Sequence, residues 1–259
     1  MEYNTLNVNR YNHFTEIRLN RPEVRNAMND EMLDELIYLF DELGRCVSTN
    51  VVLLRGEGSV FSAGADLNWM SKAVALTKKE NIAESQKLFR CFDAFSRIPA
   101  TTVAWLNGPA LGGALGIAAA ADFVWLASDA FIQFSEVKLG LVPATVAPFV
   151  VNRVGVVKAK QWMTTARKIH PQELVQANFA DEIVLVDQLP EKLDELIVGI
   201  QKNDKMAIGK TKNMLADLSQ NKLSGTLEQF TASIIAEARA SDSAQERMRQ
   251  FLSSKSLLS

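Results

Sequence analysis

The chain has 259 residues, 47% of them hydrophobic and 22% charged, with a net charge of -2 at pH 7. That balance is ordinary for a globular chain, and it excludes the one-signed field that would draw nucleic acid or an anionic membrane surface. No apolar run approaches the ~20 residues that cross a bilayer, and Met1-Glu-Tyr-Asn-Thr5 lacks a basic-then-apolar leader, so a cytoplasmic protein is expected.

The first elements follow from periodicity. Residues 4–9 and 14–19 alternate polar and apolar around Tyr11-Asn-His13, which predicts a β-hairpin. Asn29 is placed to cap a helix from Asp30 to Leu43, whose apolar stripe is Met32, Leu33, Leu36, Phe40 and Leu43, with Gly44 as its C-cap. Val51-Val-Leu-Leu54 reads as a strand buried on both faces. Cys46 and Cys91 read as free thiols in the absence of a secretory signal. His13 and His170 stand far apart, read as structural, and give no metal-ligand spacing, so no metal is expected.

Val60-Phe-Ser-Ala-Gly-Ala-Asp-Leu-Asn-Trp-Met70 places small residues, Ser62 to Ala65, between a strand and a helix, where backbone N–H groups can face a ligand. Trp69 and Met70 either line an apolar pocket or pack into the core. Thr77-Lys-Lys-Glu80 is a capping box for a helix reaching Ser96, with Phe89, Phe92 and Phe95 read as core.

After Pro99, Thr101-Thr-Val-Ala-Trp-Leu106 reads as a strand, Asn107-Gly-Pro-Ala-Leu-Gly-Gly-Ala-Leu-Gly116 as a glycine turn, and the alanines 118–121 as a buried helix. Glycines let the backbone approach a ligand, and a helix start offers unpaired N–H groups. The junction is therefore a candidate seat for negative charge on an oxygen. Glu136, in apolar company within Phe134-Ser-Glu-Val137, is the carboxylate that could face it. The two readings left open are an oxyanion hole opposite a catalytic acid or base, and a tightly packed helix with an edge glutamate.

Short strands are predicted at 123–126 and 130–133 and a loop at 140–143. A helix follows over 145–168, whose Arg153, Lys158, Lys160, Arg167 and Lys168 read as a solvated face, a phosphate contact being the alternative. A short helix opens at Pro171, Asn178 takes a left-handed turn, and Glu182 to Val186 form a strand. From Leu189 the chain turns helical, near 189–201, 204–218, 224–239 and 243–253, the last opening on the capping box Ser243-Ala-Gln-Glu246. A helical tail of this kind often packs on a neighbouring subunit.

Four stretches together carry a resemblance. Asn20-Arg-Pro with Asn26-Ala-Met, Phe61-Ser-Ala-Gly-Ala-Asp-Leu67, Asn107-Gly-Pro-Ala-Leu-Gly-Gly113 and Ser135-Glu-Val-Lys-Leu-Gly-Leu-Val-Pro143 resemble, in order and spacing, the motifs of the crotonase superfamily, the enoyl-CoA hydratases and isomerases. The resemblance covers nearly the whole chain. The wording Ala-Gly-Ala-Asp-Leu-Asn-Trp-Met, with Pro143-Ala-Thr-Val-Ala-Pro148, is most similar to bacterial 3-methylglutaconyl-CoA hydratases.

The resemblance implies an α/β fold: a spiral of ββα units over 1–188 that binds acyl-CoA, and a C-terminal helical oligomerisation region over 189–259 that forms a homotrimer or homohexamer. It implies an acyl-CoA thioester as substrate, with coenzyme A part of that substrate and no separate cofactor. By match, the N–H groups of Ala65 and Gly113 hold the thioester oxygen and Glu136 is the acid–base. Arg25, Ala63, Gly64, Ala65, Asp66, Leu67 and Gly112 contact CoA, with Arg25 and Lys255 as the candidate phosphate contacts. Surface cations are the plainer reading of those two.

One departure stands out. Two-glutamate hydratases carry a first glutamate three residues beyond the second oxyanion donor, and here that position is Gly116. A single carboxylate can hydrate by taking a proton from water and returning one to carbon, and it also suits Δ3–Δ2 isomerisation. The glycine is expected to enlarge a substrate pocket shared with Trp69, while Asp66 and Asn68 are polar neighbours of the first donor segment. Asp122 is read as a buried structural residue and Lys138 as exposed. Water addition to a short or branched 2-enoyl-CoA is the leading expectation. An isomerase is the enzymatic alternative, and an acyl-CoA-binding protein without chemistry is the alternative from another class. The charge balance argues against RNA.

Overall fold

The computed structural model describes residues 2–46, 48–219 and 222–256. Strands β1 (Leu6–Arg10) and β2 (Phe14–Leu19) form the predicted antiparallel hairpin, in the register Leu6 opposite Leu19. Helix α1 (Asp30–Arg45) begins where the Asn29 side chain accepts the Met32 N–H at 2.9 Å. It runs past Gly44, and its C-cap is Cys46, so the glycine is helical instead of the expected terminator. Strand β3 (Val51–Gly56), helix α2 (Leu67–Ala73) and helix α3 (Lys78–Ser96) follow, the last with the Thr77–Glu80 capping box formed in both directions. Then come β4 (Thr101–Leu106), the two-residue β5 (Ala110–Leu111), α4 (Ala114–Ala120), β6 (Phe123–Leu126) and β7 (Ile132–Gln133).

Helix α5 (Ala147–Thr165) is broken at Gly155, whose φ of 71° and ψ of 163° suit glycine alone. Helix α6 (Pro171–Gln176), a left-handed Asn178 (φ 59°) and the short β8 (Glu182–Ile183) complete the core. The tail consists of α7 (Leu189–Gln201), α8 (Lys205–Ser219), α9 (Leu227–Ala240) and α10 (Asp242–Ser256). Helix α10 is not capped by Ser243: the Ala244 N–H goes to the Ser241 Oγ, and the Ser243 hydroxyl is donated to Asp204.

The principal sheet runs β1-β2-β3-β4-β6-β8, parallel from β2 onward, beside a two-stranded parallel pair β5-β7. Alternate residues of each strand face opposite sides. Val52, Leu54, Ala104, Leu106 and Val124 join the main core with α1, α3 and α4. Val51, Leu53, Val103, Trp105 and Trp125 face the other way and are covered by Leu189, Leu193 and Ile197 of α7. The fold is the mixed α/β architecture, with a C-terminal region of several helices, that the resemblance implied.

Two polar readings change. Asp122 is exposed instead of buried, and it is held by the Thr102 N–H (2.7 Å), the Thr102 hydroxyl (3.0 Å) and Lys212 (2.6 Å). Arg153 does not share the solvated face of its basic neighbours: its guanidinium folds back onto backbone carbonyls at the end of α4. Lys138 is exposed.

Candidate functional site

The site begins with a loop pinned by two amide side chains. Arg25 and Asn26 both adopt left-handed backbone, φ 55° and 53°, an uncommon conformation for side chains with a Cβ. Asn26 is fully buried, accepts the Arg21 N–H, and donates to the Glu57 and Val60 carbonyls at 2.8 Å each. Asn107 does the same further on, accepting from Gly56 N–H and donating to the Gly58 carbonyl, both at 2.8 Å. These contacts hold the end of β3 against both glycine-containing segments.

The first segment, Ser62 to Asp66, threads between the 25–28 loop and the 109–112 turn. Ala63 N–H donates to Arg25 O (2.9 Å), Met28 N–H to Gly64 O (2.7 Å), and Asp66 N–H to Met28 O (2.9 Å). On the other side Leu111 N–H donates to Ser62 O at 3.0 Å, and the Ser62 hydroxyl donates to Asn26 O at 2.7 Å. The approach is so close that a Cβ on Gly64 (φ 88°) would sit 2.8 Å from the Leu111 carbonyl oxygen and 3.7 Å from the Gly112 Cα. Glycine is needed at Gly64 for both the left-handed angle and the clearance.

The structure brings together Ala65, Gly112, Gly113 and Glu136 from three separate stretches. A Cβ on Gly112 (φ 52°) would stand 3.7 Å from the Glu136 Oε1. Among the described residues, neither the Ala65 N–H nor the Gly113 N–H donates to a protein acceptor. Two backbone donors thus stand open beside one carboxyl, at the start of α4. Glu136 opens a short 3₁₀ turn, Glu136–Leu139, closed by Gly140 at φ 72°. Its Oε2 is buried with no hydrogen-bond partner among the described residues. Burial pushes the Glu136 carboxyl above its ordinary range, only partly opposed by its own backbone N–H. A perturbed carboxyl with one unpartnered oxygen, close to free backbone donors, suits acid–base chemistry on a carbonyl compound.

Gly116 departs from expectation. It does not enlarge a pocket, because a Cβ built there would stand 2.1 Å from the Cε2 of Phe92, which is fully buried. Phe92 stacks edge-on to Phe149 at 5.6 Å, and Phe89 lies 5.3 Å from Phe149. An aromatic wall therefore fills the space above the first turn of α4. Trp69 is half-buried and sends its indole N–H to Glu84 on α3 at 3.1 Å.

Asp66 caps α2 through the Asn68 and Trp69 N–H groups and pairs with Arg21 at 2.9 Å. Burial alone would raise the Asp66 carboxyl, but Arg21 and the two amides outweigh it and hold it below its ordinary range. Its side chain is thereby engaged within the protein. Leu67 and Arg25 are exposed, and the side chain of Lys255 lies outside the described residues. A cavity of about 610 Å³ beside Asp66, Asn68 and Trp69 is bounded by Asp30, Glu31 and Asp34, and Glu136 is not on its wall. Its acidic rim makes a poor seat for a polyanion.

Sequence reasoning missed Asn26 and Asn107 as staples and Phe92 as the wall. The Phe89 and Phe92 spacing marked a packed helix face but not what it packs against. Among the described residues no group of three His, Cys, Asp or Glu could hold a metal ion, and no helix is long and apolar enough to cross a membrane.

The sequence profile of the family described as enoyl-CoA hydratase/isomerase matches residues 9–256. A putative enoyl-CoA hydratase of Thermus thermophilus is 34% identical over 206 residues, 80% of this chain and 81% of that protein. The enoyl-CoA hydratase AKT6-1 of Alternaria alternata is 38% identical over 66% of this chain, which spans only 56% of that relative. The human mitochondrial Delta(3,5)-Delta(2,4)-dienoyl-CoA isomerase is 30% identical over 68% of this chain and 58% of its own. Among solved structures, an enoyl-CoA hydratase from Shewanella pealeana superposes with a TM-score of 0.90 at 28% identity, covering 98% of this chain and 95% of that one.

Proposed function

The chain belongs to the enoyl-CoA hydratase/isomerase family, and on that premise we propose that it adds water across the 2,3 double bond of a short or branched 2-enoyl-CoA. The observation that carries this reading is the buried, unpartnered Oε2 of Glu136 beside the two open N–H groups of Ala65 and Gly113. The thioester oxygen accepts from both amides. Glu136 takes a proton from water, the water oxygen bonds to C3, and the C2=C3 electron pair moves toward C2 and the thioester oxygen. A proton from Glu136 then closes C2. Charge builds on the oxygen during this step, where two preorganised donors stabilise it. Loss of one such donor typically costs roughly 100- to 1000-fold in rate.

The acyl chain would leave past Phe89 into a groove of about 450 Å³ lined by Ile82, Phe89, Ala144 and Thr145. The branched acyl chain to try first is 3-methylglutaconyl, on the strength of the sequence wording from Ala63 to Met70. Coenzyme A is here a substrate handle held by Ala63 to Leu67 and Gly112, and Arg25 is its phosphate contact. We further propose a homotrimer or homohexamer in the cytoplasm, assembled through the tail, where Leu215, Leu227, Ile235 and Met248 are solvent-exposed. Light scattering on the purified chain tests that assembly.

A second reading has its own observation. The Phe92 and Phe149 wall above Gly116 offers no polar group to hold a water, which favours proton transfer between carbons by Glu136 alone, a Δ3–Δ2 isomerisation. Mass spectrometry of 2-enoyl- and 3-enoyl-CoA thioesters separates the two. A product heavier by one water supports the hydratase. Unchanged mass with a moved double bond supports the isomerase. No change in any thioester that still binds overturns both in favour of binding without chemistry.

A further inference from the structure

Helix α4 carries the Gly113 amide at one end, and it is poorly equipped to hold itself in place. It has seven residues, all buried, four of them alanine, and Gly113 supplies no side-chain cap. Apart from Leu115 and Ile117, which are buried in the core, its side chains give little shape to lock against, and the carbonyls at its far end need donors. Those donors come from one residue of α5. Arg153 Nε donates to Ala119 O at 3.1 Å, and its Nη2 donates to Ala121 O at 2.7 Å and Asp122 O at 3.0 Å. Its Nη1 reaches Phe179 O at 2.8 Å, tying the same end of α4 to the chain that leads into β8. A planar fork of five donors meets four carbonyls here, a set that an ammonium cannot reproduce. The cation also faces the negative end of the helix. The Phe92 ring packs on Gly116 from the side of the helix, away from its C-terminal carbonyls.

We propose that Arg153 is a positioning residue for the oxyanion donor: by anchoring the C-terminal carbonyls of α4 it sets where the Gly113 N–H stands relative to Ala65 and Glu136. The inference rests on the reading of those two amides given above.

The test is infrared difference spectroscopy of butyryl-CoA carrying ¹³C at the thioester carbonyl, bound to wild type and to Arg153→Met. Wild type should shift the carbonyl stretch down, and the variant should lose most of that shift. Misplacement of a reacting group by about 1 Å costs on the order of 100-fold, so kcat on the enoyl-CoA substrate should fall about 10- to 100-fold with KM nearly unchanged. A wild-type shift and kcat retained in Arg153→Met would overturn the inference alone. A wild type without any shift would overturn the reading of Ala65 and Gly113, and this inference with it. If Arg153→Met does not fold by circular dichroism, Arg153→Lys carries the same readout, because it keeps the charge and loses the fork.

Discussion

Phe92 occupies the volume that any side chain at position 116 would need. Gly116 is thus a packing partner, and the two residues share one site. Gly116→Ala should cost about 1–3 kcal/mol as an overpacked core position, and Phe92→Ala about 3–5 kcal/mol through the cavity it leaves. The double variant should be less destabilised than the sum, with a coupling of about 0.5–3 kcal/mol as expected for residues in contact. Urea unfolding of the three variants measures this, and strict additivity would break the account.

Glu136 gives a pH dependence with a definite sign. Its folded carboxyl lies above the ordinary value of 4.5, because burial disfavours its charge. Below that ordinary value folded and unfolded chains are both protonated and no penalty exists. As pH rises through the window up to the folded value, only the unfolded chain ionises, and stability is lost. Glu136→Gln should therefore be more stable than wild type at pH 8, with the difference vanishing at acid pH. Thermal melts across pH test it. The acid limb of the wild-type rate profile should fall at the same raised pKa.

Asp66 works in the opposite direction. Its carboxyl is held below the ordinary value, so it stabilises the fold above the unfolded pKa and that contribution fades as pH falls through the folded one. Asp66→Ala removes the α2 cap, worth about 0.5–2 kcal/mol, and strands Arg21. Its deficit should be full at pH 7 and shrink on acidification, as read by denaturant titration at several pH values.

Gly64→Ala tests the junction of the donor segments. At φ 88° alanine is strained, by about 1–3 kcal/mol, and its methyl meets the Leu111 carbonyl. The two amides should be pushed apart, lowering kcat by roughly 100-fold or more if one donor is lost. A fully active Gly64→Ala enzyme would contradict the placement of the Ala65 amide.

Much of this was legible in the chain. Asn29 and Thr77 cap where side-chain chemistry placed them, and the unbroken run Val51–Leu54 is a central strand buried on both faces. The glycine junction and Glu136 were paired from the residues alone as one of two open readings, but Ala65 and Gly113 were singled out as the donors only through motif resemblance, because periodicity says nothing of which loops meet. Gly116 misled because a missing side chain looks like space until the residue facing it is known, and Phe92 lies 24 positions away. Arg153 was read as solvated because a helix carrying five cations shows no sign of the one that turns inward.

The central claim is that Glu136 moves protons at the α-carbon of a thioester held by the Ala65 and Gly113 amides. Turnover of an enoyl-CoA in D₂O, read by mass spectrometry of the product, tests it most directly. The account predicts solvent deuterium at C2 with wild type, and none with Glu136→Gln although that variant still binds the thioester. Deuterium incorporated by Glu136→Gln at the wild-type rate would contradict it.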